Sequence, residues 1–433
     1  MKFLDCTTVL KQDFISGIQR ILVDFATNNE EIAPVVWNTR KKRFERLSRF
    51  PRRILIYKSP VRRFFILVFL TPIFKISKIA FLRFKHQLLK FRTIRSLATR
   101  LYYAIHVKEG FESWNKLLVR KELIFSESDT LILLDIPTDI GYRYELMNEL
   151  KNGNYLKVAY VHDLIPLDFP EFWGNREYPK IRKNFMDYLN CVVEFDLLVA
   201  NSEYTLNRFE SHFQKKSRQL NKIPLIIDVL NPSSNLITKR QNYPVEKHFD
   251  EISITSILFI GDLGKRKNLS VILKSILRDF EYPISLNIVS PTKIHLNSEL
   301  KRLLNKVHQN DLIKIQIHDH ISDDDLAELY YKSEILVVPS LAEGFGIPVI
   351  EGLSFGCQVV VSDNTSLSEL AIKYDLIKVR GNSVSGWTKG IKKAIDQRGK
   401  AVATTFDARD FKPETFQKSL IHIIEKNRLV RGN

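Results

Sequence analysis

The chain has 433 residues, 44% of them hydrophobic and 27% charged, and a formal net charge of +17. That length and apolar content exclude a disordered or fibrous chain and suffice for two or three domains with sizeable cores. Cys6, Cys191 and Cys357 are too few and too widely spaced for a disulfide framework or a cysteine-rich metal site, and they fit a reducing compartment.

In chain order, the first apolar run is KFLD (2–5), followed by SGIQR (16–20), where Gly17 opens a turn past a predicted strand. The N-terminal stretch MKFLDCTTVL lacks an apolar core followed by a cleavage site, so no secretory signal is expected. Between Arg40 and Arg100 stand 19 Lys and Arg against one acid, Glu45, so this stretch carries the whole surplus charge. Within it FFILVFLTPIF (64–74) is too short to span a bilayer, which needs about 20 residues. Phe81, Phe84, Leu88, Phe91, Ile94, Ala98 and Leu101 then recur at helical spacing, with Arg83, Lys85, Lys90, Arg92, Arg95 and Arg100 between them. Such a basic amphipathic helix suits an anionic membrane surface, or packs on the first domain with a solvated basic side.

The apolar runs LILLD (131–135), KVAYV (157–161), DLLVA (196–200) and LIID (225–228) follow. After a polar, proline-bearing stretch at 231–250 come SILFI (256–260), ISLNIV (284–289), IKIQI (313–317), ILVV (335–338) and QVVV (358–361). Short apolar runs alternating with helix-like segments predict two α/β domains with parallel sheets, joined by that linker. In such sheets ligands bind past the carboxyl ends of the strands.

Four motifs stand at such ends. SGIQR is the first, and its lone glycine says little by itself. The second is YVHDLIPLDFPEFW (160–173), where His162 and Asp163 directly follow a strand; a lone histidine there is structural as readily as ligand-binding. In the third, FIGDLGKRKN (259–268), Lys265, Arg266 and Lys267 precede a helix starting near Asn268. This suits a diphosphate, held by charge-assisted hydrogen bonds and the helix dipole, or is a solvated basic loop. It is not a P-loop, whose lysine spacing is absent. The run Asp323-Asp324-Asp325 after Ser322 reads as a helix cap rather than a metal site.

The fourth motif, AEGFGIPVIEG (342–352), sets Glu343 and Glu351 eight positions apart around Gly344 and Gly346. Pro348 suits the start of a helix, which would leave Glu343 in the loop and Glu351 in the first turn. Unpaired N–H groups of that turn, beside two carboxylates, point to a polyhydroxylated, anionic ligand. Singly, Glu343 could be solvated and Glu351 could merely favour the helix dipole.

Together these motifs resemble glycosyltransferase family four, the retaining, nucleotide-sugar-dependent enzymes of bacterial polysaccharide and mannosyltransferase-like type. The glutamates match its E-x7-E motif, GKRKN its phosphate-binding turn, VHDLIP its histidine motif and SGIQR its N-terminal glycine loop. ISDDDLAELYYKSEILVVPS (321–340) is similar to the family's run into the glutamates, and the resemblance covers the chain except about 39–125. It implies an α/β chain of GT-B fold, two Rossmann-like domains whose parallel sheets face across a cleft. An acceptor-side domain would span 1–235 with the basic insertion at about 40–110. A nucleotide-sugar-binding domain would span 250–410, and a helix at 411–433 would return to the first domain.

The resemblance also implies roles. Glu351 would accept hydrogen bonds from the nucleotide ribose, and Glu343 would face the hydroxyls of the donor sugar. Main-chain N–H groups of Phe345 and Gly346, beyond Gly344, would meet the sugar or diphosphate. Lys267 with Arg266 would neutralise the leaving diphosphate, Gly17 would let its loop approach the phosphates, and His162 would touch the sugar near the reacting carbon. His162, Lys267 and Glu343 are thus the candidate catalytic residues. Where many members carry an arginine after the glycine of the phosphate turn, this chain has Asp262, which leaves more of the charge compensation to Lys267 and Arg266.

The implied activity is hexosyl transfer from a nucleotide-diphosphate sugar to a glycan or lipid-linked acceptor in surface polysaccharide synthesis, such as O-antigen or lipopolysaccharide. GDP-mannose stands first among donors, with dTDP- and UDP-sugars open. No metal, other cofactor or nucleic-acid partner is expected. The expected location is the cytoplasm, at the cytoplasmic face of the inner membrane, bound to its anionic surface through 40–100. The alternatives are a sugar-nucleotide-binding protein without catalysis and a basic nucleic-acid binder. Intact His162, Lys267, Glu343 and Glu351 argue against the first; the confinement of charge to one segment argues against the second.

Overall fold

The computed structural model describes residues 1–8, 22, 26, 31–39, 41–47, 120–135, 140–220, 226–244, 254–278, 280, 283–290, 297–319, 321–398 and 405–431. Gly17 and its loop, and nearly all of the basic stretch at 40–110, lie outside the described residues. The chain packs as two units, Met1–Val158 and Ala159–Asn433.

In the first unit, β1 (Lys2–Asp5), β2 (Ile32–Asn38), β3 (Arg43–Leu47), β4 (Arg120–Glu122), β5 (Thr130–Leu133) and β6 (Leu156–Val161) lie in the order β4-β3-β2-β1-β5-β6. β1 runs parallel to β2 and β5, with Lys2 opposite both Ile32 and Thr130. β2 is absent from the sequence reading because Pro34 inside IAPVVWN signals an edge or a break. Burial of Ile32, Val35 and Val36 holds it beside β1 all the same. β3 turns back antiparallel on β2, placing Phe44 edge-to-face on Trp37 at 5.0 Å. β4 pairs antiparallel with β3, Leu47 opposite Arg120, so residues 48–119 connect two neighbouring strands.

The second unit opens within β6. β7 (Leu197–Ala200) and β8 (Ile226–Val229) pair in parallel, Leu197 opposite Ile226. β9 (Thr255–Ile260), β10 (Ile284–Ser290), β11 (Ile313–Asp319), β12 (Ile335–Val338), β13 (Gln358–Ser362) and β14 (Ile377–Val379) make an all-parallel sheet in the order β11-β10-β9-β12-β13-β14. The strands read as continuous apolar runs because helices cover both faces. Ile257 and Phe259 of β9 cluster with Ile272, Leu303 and Trp387 on one side; Leu258 clusters with Tyr330, Val349 and Ile350 on the other. Each such side chain, fully buried, contributes about 1.5–3 kcal/mol relative to exposure. The strand order reverses between β9 and β12, and the crevice past their carboxyl ends is where an open parallel sheet receives a ligand.

Ser322 caps the helix Asp323–Lys332 as its sequence predicts. The Asp325 N–H donates to Ser322 Oγ at 3.1 Å, and the Ser322 N–H donates back to the Asp325 carboxylate at 3.2 Å. The last helix, Pro413–Arg431, sets Phe416 edge-to-face on Tyr160 of β6 at 5.7 Å. Among the described residues no helix is long and apolar enough to cross a membrane.

Candidate functional site

Past β12, residues 339–346 turn into the helix Ile347–Ser354. Gly346 is its N-cap with φ 105°, a left-handed conformation that a side chain resists, and an added Cβ would also meet Leu367 at 2.8 Å. Gly344 is dictated by space: a Cβ there would lie 2.1 Å from the carbonyl oxygen of His162 and 2.9 Å from the Cβ of Asp163. The Gly344 carbonyl accepts hydrogen bonds from Ser202 Oγ at 2.6 Å and Thr205 Oγ1 at 3.3 Å. Asn201 Nδ2 donates to the His162 carbonyl at 2.6 Å. The glycine turn is therefore clamped against the ends of β6 and β7. Gly344→Ala must displace backbone on both sides, and overpacking of this kind costs about 1–3 kcal/mol or more. Calorimetry should show a lowered Tm; a wild-type Tm contradicts this packing.

Glu343, 8% exposed, lies at the centre of a charge cluster. The Arg266 guanidinium donates to its Oε2 and to the Ala342 carbonyl, each at 3.0 Å, and Lys267 Nζ donates to its Oε1. Lys265, Arg266 and Lys267 form a single 3-10 turn, so their side chains diverge; Arg266 and Lys267 reach Glu343 while Lys265 is exposed. Asp262 accepts the Gly264 N–H at 2.8 Å, closing the turn, and lies 3.6 Å from the Arg266 guanidinium. Asp262 thus shapes this turn and flanks one of its cations.

Burial alone would raise the Glu343 carboxyl, but the Lys267 ammonium and then the Arg266 guanidinium outweigh it and hold it at about 2, against an ordinary 4.5. The folded state therefore binds this proton less readily than the unfolded state. The pairing contributes fully above about pH 4.5 and is lost as pH falls towards about 2. Denaturant unfolding of wild type and Glu343→Gln should differ by a few kcal/mol at neutral pH and converge on acidification. A difference that stays flat to pH 2 contradicts the assignment.

Glu351 is the fifth residue of its helix, beyond the first turn where the sequence reading put it, and is 5% exposed. Ser234 Oγ donates to Oε1 at 2.5 Å and Tyr330 Oη to Oε2 at 2.6 Å. A buried carboxylate needs such donors, and here they fix both of its oxygens. Phe345 is a core residue, 6.1 Å from Phe411 between ring centroids. Ser366 Oγ donates to the carbonyls of Glu343 and Phe345, each at 2.9 Å, which holds the loop's shape.

His162, Arg266, Lys267, Glu343, Gly344, Phe345 and Gly346 thus gather at the turn after β12, while Glu351 sits deeper on its own pair of hydroxyls. The His162 ring, 5% exposed, packs edge-to-face on Tyr160 at 4.9 Å. Sequence reasoning left Asp163, Asn201, Ser202, Ser234 and Tyr330 without roles. Burial pushes the Asp163 carboxyl up while Arg266 opposes it, so Asp163 belongs to the same charge cluster. Asn201 and Ser202 directly follow DLLVA, and the strand-end rule applied there would have found them. Ser234 in the linker and Tyr330 within a helix carry no local signal.

Residues 251–410 match the family model for glycosyl transferases group 1. Serotype-specific mannosyltransferase WbdA of Escherichia coli is 24% identical, over 58% of this chain and 31% of its own length. MMP alpha-(1->4)-mannosyltransferase of Mycolicibacterium hassiacum is 24% identical, over 38% of this chain and 43% of its own. For the O-antigen chain mannosyltransferase RfbU of Salmonella typhimurium the identity is 26%, over 56% of this chain and 62% of its own. The chain therefore spans less than two thirds of the length of each of these relatives.

Among solved structures, Anabaena Alr3699/HepE in complex with UDP and glucose aligns with a TM-score of 0.55 at 12% identity, over 98% of this chain and 99% of that one. Sucrose-phosphate synthase from Thermosynechococcus elongatus aligns with a TM-score of 0.51 at 14% identity, over 70% and 74%. Likeness at such identities speaks to the fold alone. With its two parallel-dominated sheets the chain has the GT-B fold, and its residues 251–410 are similar to the group 1 glycosyl transferases.

Proposed function

We propose that this protein transfers a mannosyl unit from GDP-mannose to a glycan acceptor in surface polysaccharide synthesis, retaining anomeric configuration and needing no metal. The observation that carries the reading is the convergence of Lys267 and Arg266 on buried Glu343, beside the N-terminus of the helix Ile347–Ser354. Two cations, helix N–H groups and a carboxylate are the partners that a sugar diphosphate calls for. The choice of mannose follows the names of the relatives.

Glycosyl transfer passes through an oxocarbenium-like state while negative charge builds on the departing phosphate. Lys267 and Arg266, fixed in place before the donor arrives, neutralise that charge with little reorganisation. Glu343, held ionised, accepts from hydroxyls of the donor sugar, and Glu351 accepts from the ribose. His162 meets the sugar from the end of β6. Residues 40–100 would hold the enzyme at the anionic cytoplasmic face of the membrane, where a lipid-linked acceptor is presented; sedimentation with anionic vesicles at low salt tests this part.

Purified protein given GDP-mannose and a mannose-terminated oligosaccharide in EDTA should form an α-mannoside, read by proton NMR. Activity lost on chelation and restored by Mg²⁺ or Mn²⁺ contradicts the metal-free mechanism, and a β-linked product contradicts retention. Absence of turnover with every nucleotide sugar contradicts the transferase reading itself.

A further inference from the structure

Three neighbouring strands, β9, β12 and β13, each run through a short turn into a helix that opens in left-handed backbone. The opening residues are Asn268 at φ 54°, Gly346 at φ 105° and Thr365 at φ 46°. Glycine and asparagine take up this conformation readily, whereas a β-branched side chain is crowded by its own backbone. Thr365 is the one β-branched residue with left-handed backbone among the described residues. Strain of this kind persists where the surroundings enforce it, and it collects at functional sites.

The surroundings here do enforce it. Ser366 and Leu367, which follow Thr365 in the helix Thr365–Lys373, are fully buried. The Ser366 hydroxyl bonds the Glu343 and Phe345 carbonyls, and Leu367 packs where a side chain on Gly346 would stand. On the other flank Asn364 Nδ2 donates to the Ser340 carbonyl at 3.1 Å. Thr365 is therefore fixed between two residues that are each tied to the loop at 339–346.

The strained position supplies a hydroxyl. The Glu343 N–H donates to Thr365 Oγ1 at 3.1 Å, and Oγ1 donates onward to Asn364 Oδ1 at 3.2 Å. With Ser366 on the carbonyl, the N–H and C=O of Glu343 are both held by one helix start. The carboxylate thus has a fixed origin from which to reach Lys267 and Arg266. Glycine at 365 would relax the backbone but offers no side-chain acceptor, and asparagine carries its oxygen one bond further out.

We propose that Thr365 is a positioning residue: its strained backbone sets Oγ1 against the Glu343 N–H and thereby aims the Glu343 carboxylate at the donor sugar. The aim at a sugar rests on the transferase reading above; the hold on Glu343 does not. Thr365 acts through Glu343 alone.

Amide hydrogen exchange by NMR, and titration calorimetry with GDP-mannose and GDP, test this on wild type and three variants of the full chain. Thr365→Val keeps the β-branched shape and the strain but loses the acceptor. Its Glu343 amide should exchange at least about tenfold faster, and GDP-mannose should bind about tenfold more weakly. GDP, which lacks the sugar, should bind within about twofold of wild type. Thr365→Ser keeps the hydroxyl and should keep both the slow exchange and the affinity. Thr365→Gly lacks the hydroxyl but relaxes the backbone, so its Tm should exceed that of Thr365→Val while GDP-mannose binds no better. A loss that follows the hydroxyl rather than Tm separates positioning from a purely structural role. Affinity that follows Tm across the variants overturns the proposal. Wild-type GDP-mannose affinity or wild-type Glu343 exchange in Thr365→Val does so too. Equal weakening of GDP and GDP-mannose places the effect on the nucleotide and overturns it as well. If wild type binds no nucleotide sugar while the exchange still depends on the hydroxyl, the transferase reading fails and the hold on Glu343 stands.

Discussion

Lys267→Ala is expected to lower kcat for sugar transfer by about 100- to 1,000-fold, the cost of removing one preorganised group from a developing negative charge. Donor KM should change far less, because the diphosphate gains charge between ground state and transition state. The variant also leaves buried Glu343 with Arg266 as its remaining cationic partner among those described. Its carboxyl should then titrate higher, and activity should fall on the acid side where wild type is unaffected. Lys267→Arg keeps the charge with a different reach and should recover part of kcat. A wild-type kcat in Lys267→Ala, measured on folded protein, contradicts the placement of the leaving diphosphate at this turn.

Glu351→Gln should act on the other parameter. Hydrogen bonds to a charged group are worth about 1.5–3 kcal/mol, so kcat/KM for the donor should drop by about 10- to 150-fold, mostly through KM. The substitution is nearly isosteric, and the Ser234 and Tyr330 hydroxyls can rotate to meet an amide, so the fold should survive. Tyr330→Phe removes one of the hydrogen bonds that orient the carboxylate and should reproduce part of the KM effect, with kcat little changed. Equal donor KM in Glu351→Gln and wild type would remove Glu351 from the ribose.

The parallel strands at the core of both sheets were legible because they are continuous apolar runs bounded by polar turns. TSILFI and ILVV, with helices on both sides, leave no other reading. The missing strands each break that rule for a reason. β2 contains Pro34, β3 (RFERL) and the edge strand β4 (RKE) are charged, and β14 is three residues long.

The site divides in the same way. Lys267, Arg266, Glu343, Gly344 and Gly346 were legible because each is a residue type that a strand-end turn needs for charge, close approach or left-handed backbone. What could not be read is which groups hold them. Ser202 and Thr205 meet Gly344 from about 140 positions away in sequence, and Ser234 meets Glu351 from 117. Such pairings are set by the sheets and leave no spacing in the chain. Glu351 was placed one turn too shallow, because a proline near a helix start fixes the end of the helix and not the depth of its later residues.

Titration calorimetry of GDP-mannose and GDP against wild type, Lys267→Ala and Glu351→Gln tests the central claim most directly. Wild type should bind both in a saturable one-to-one isotherm in EDTA, and each substitution should weaken both ligands while the proteins remain folded. Absence of heat with every nucleotide sugar, or isotherms in the two variants that overlay the wild type, would contradict the assignment of this cluster as the donor site.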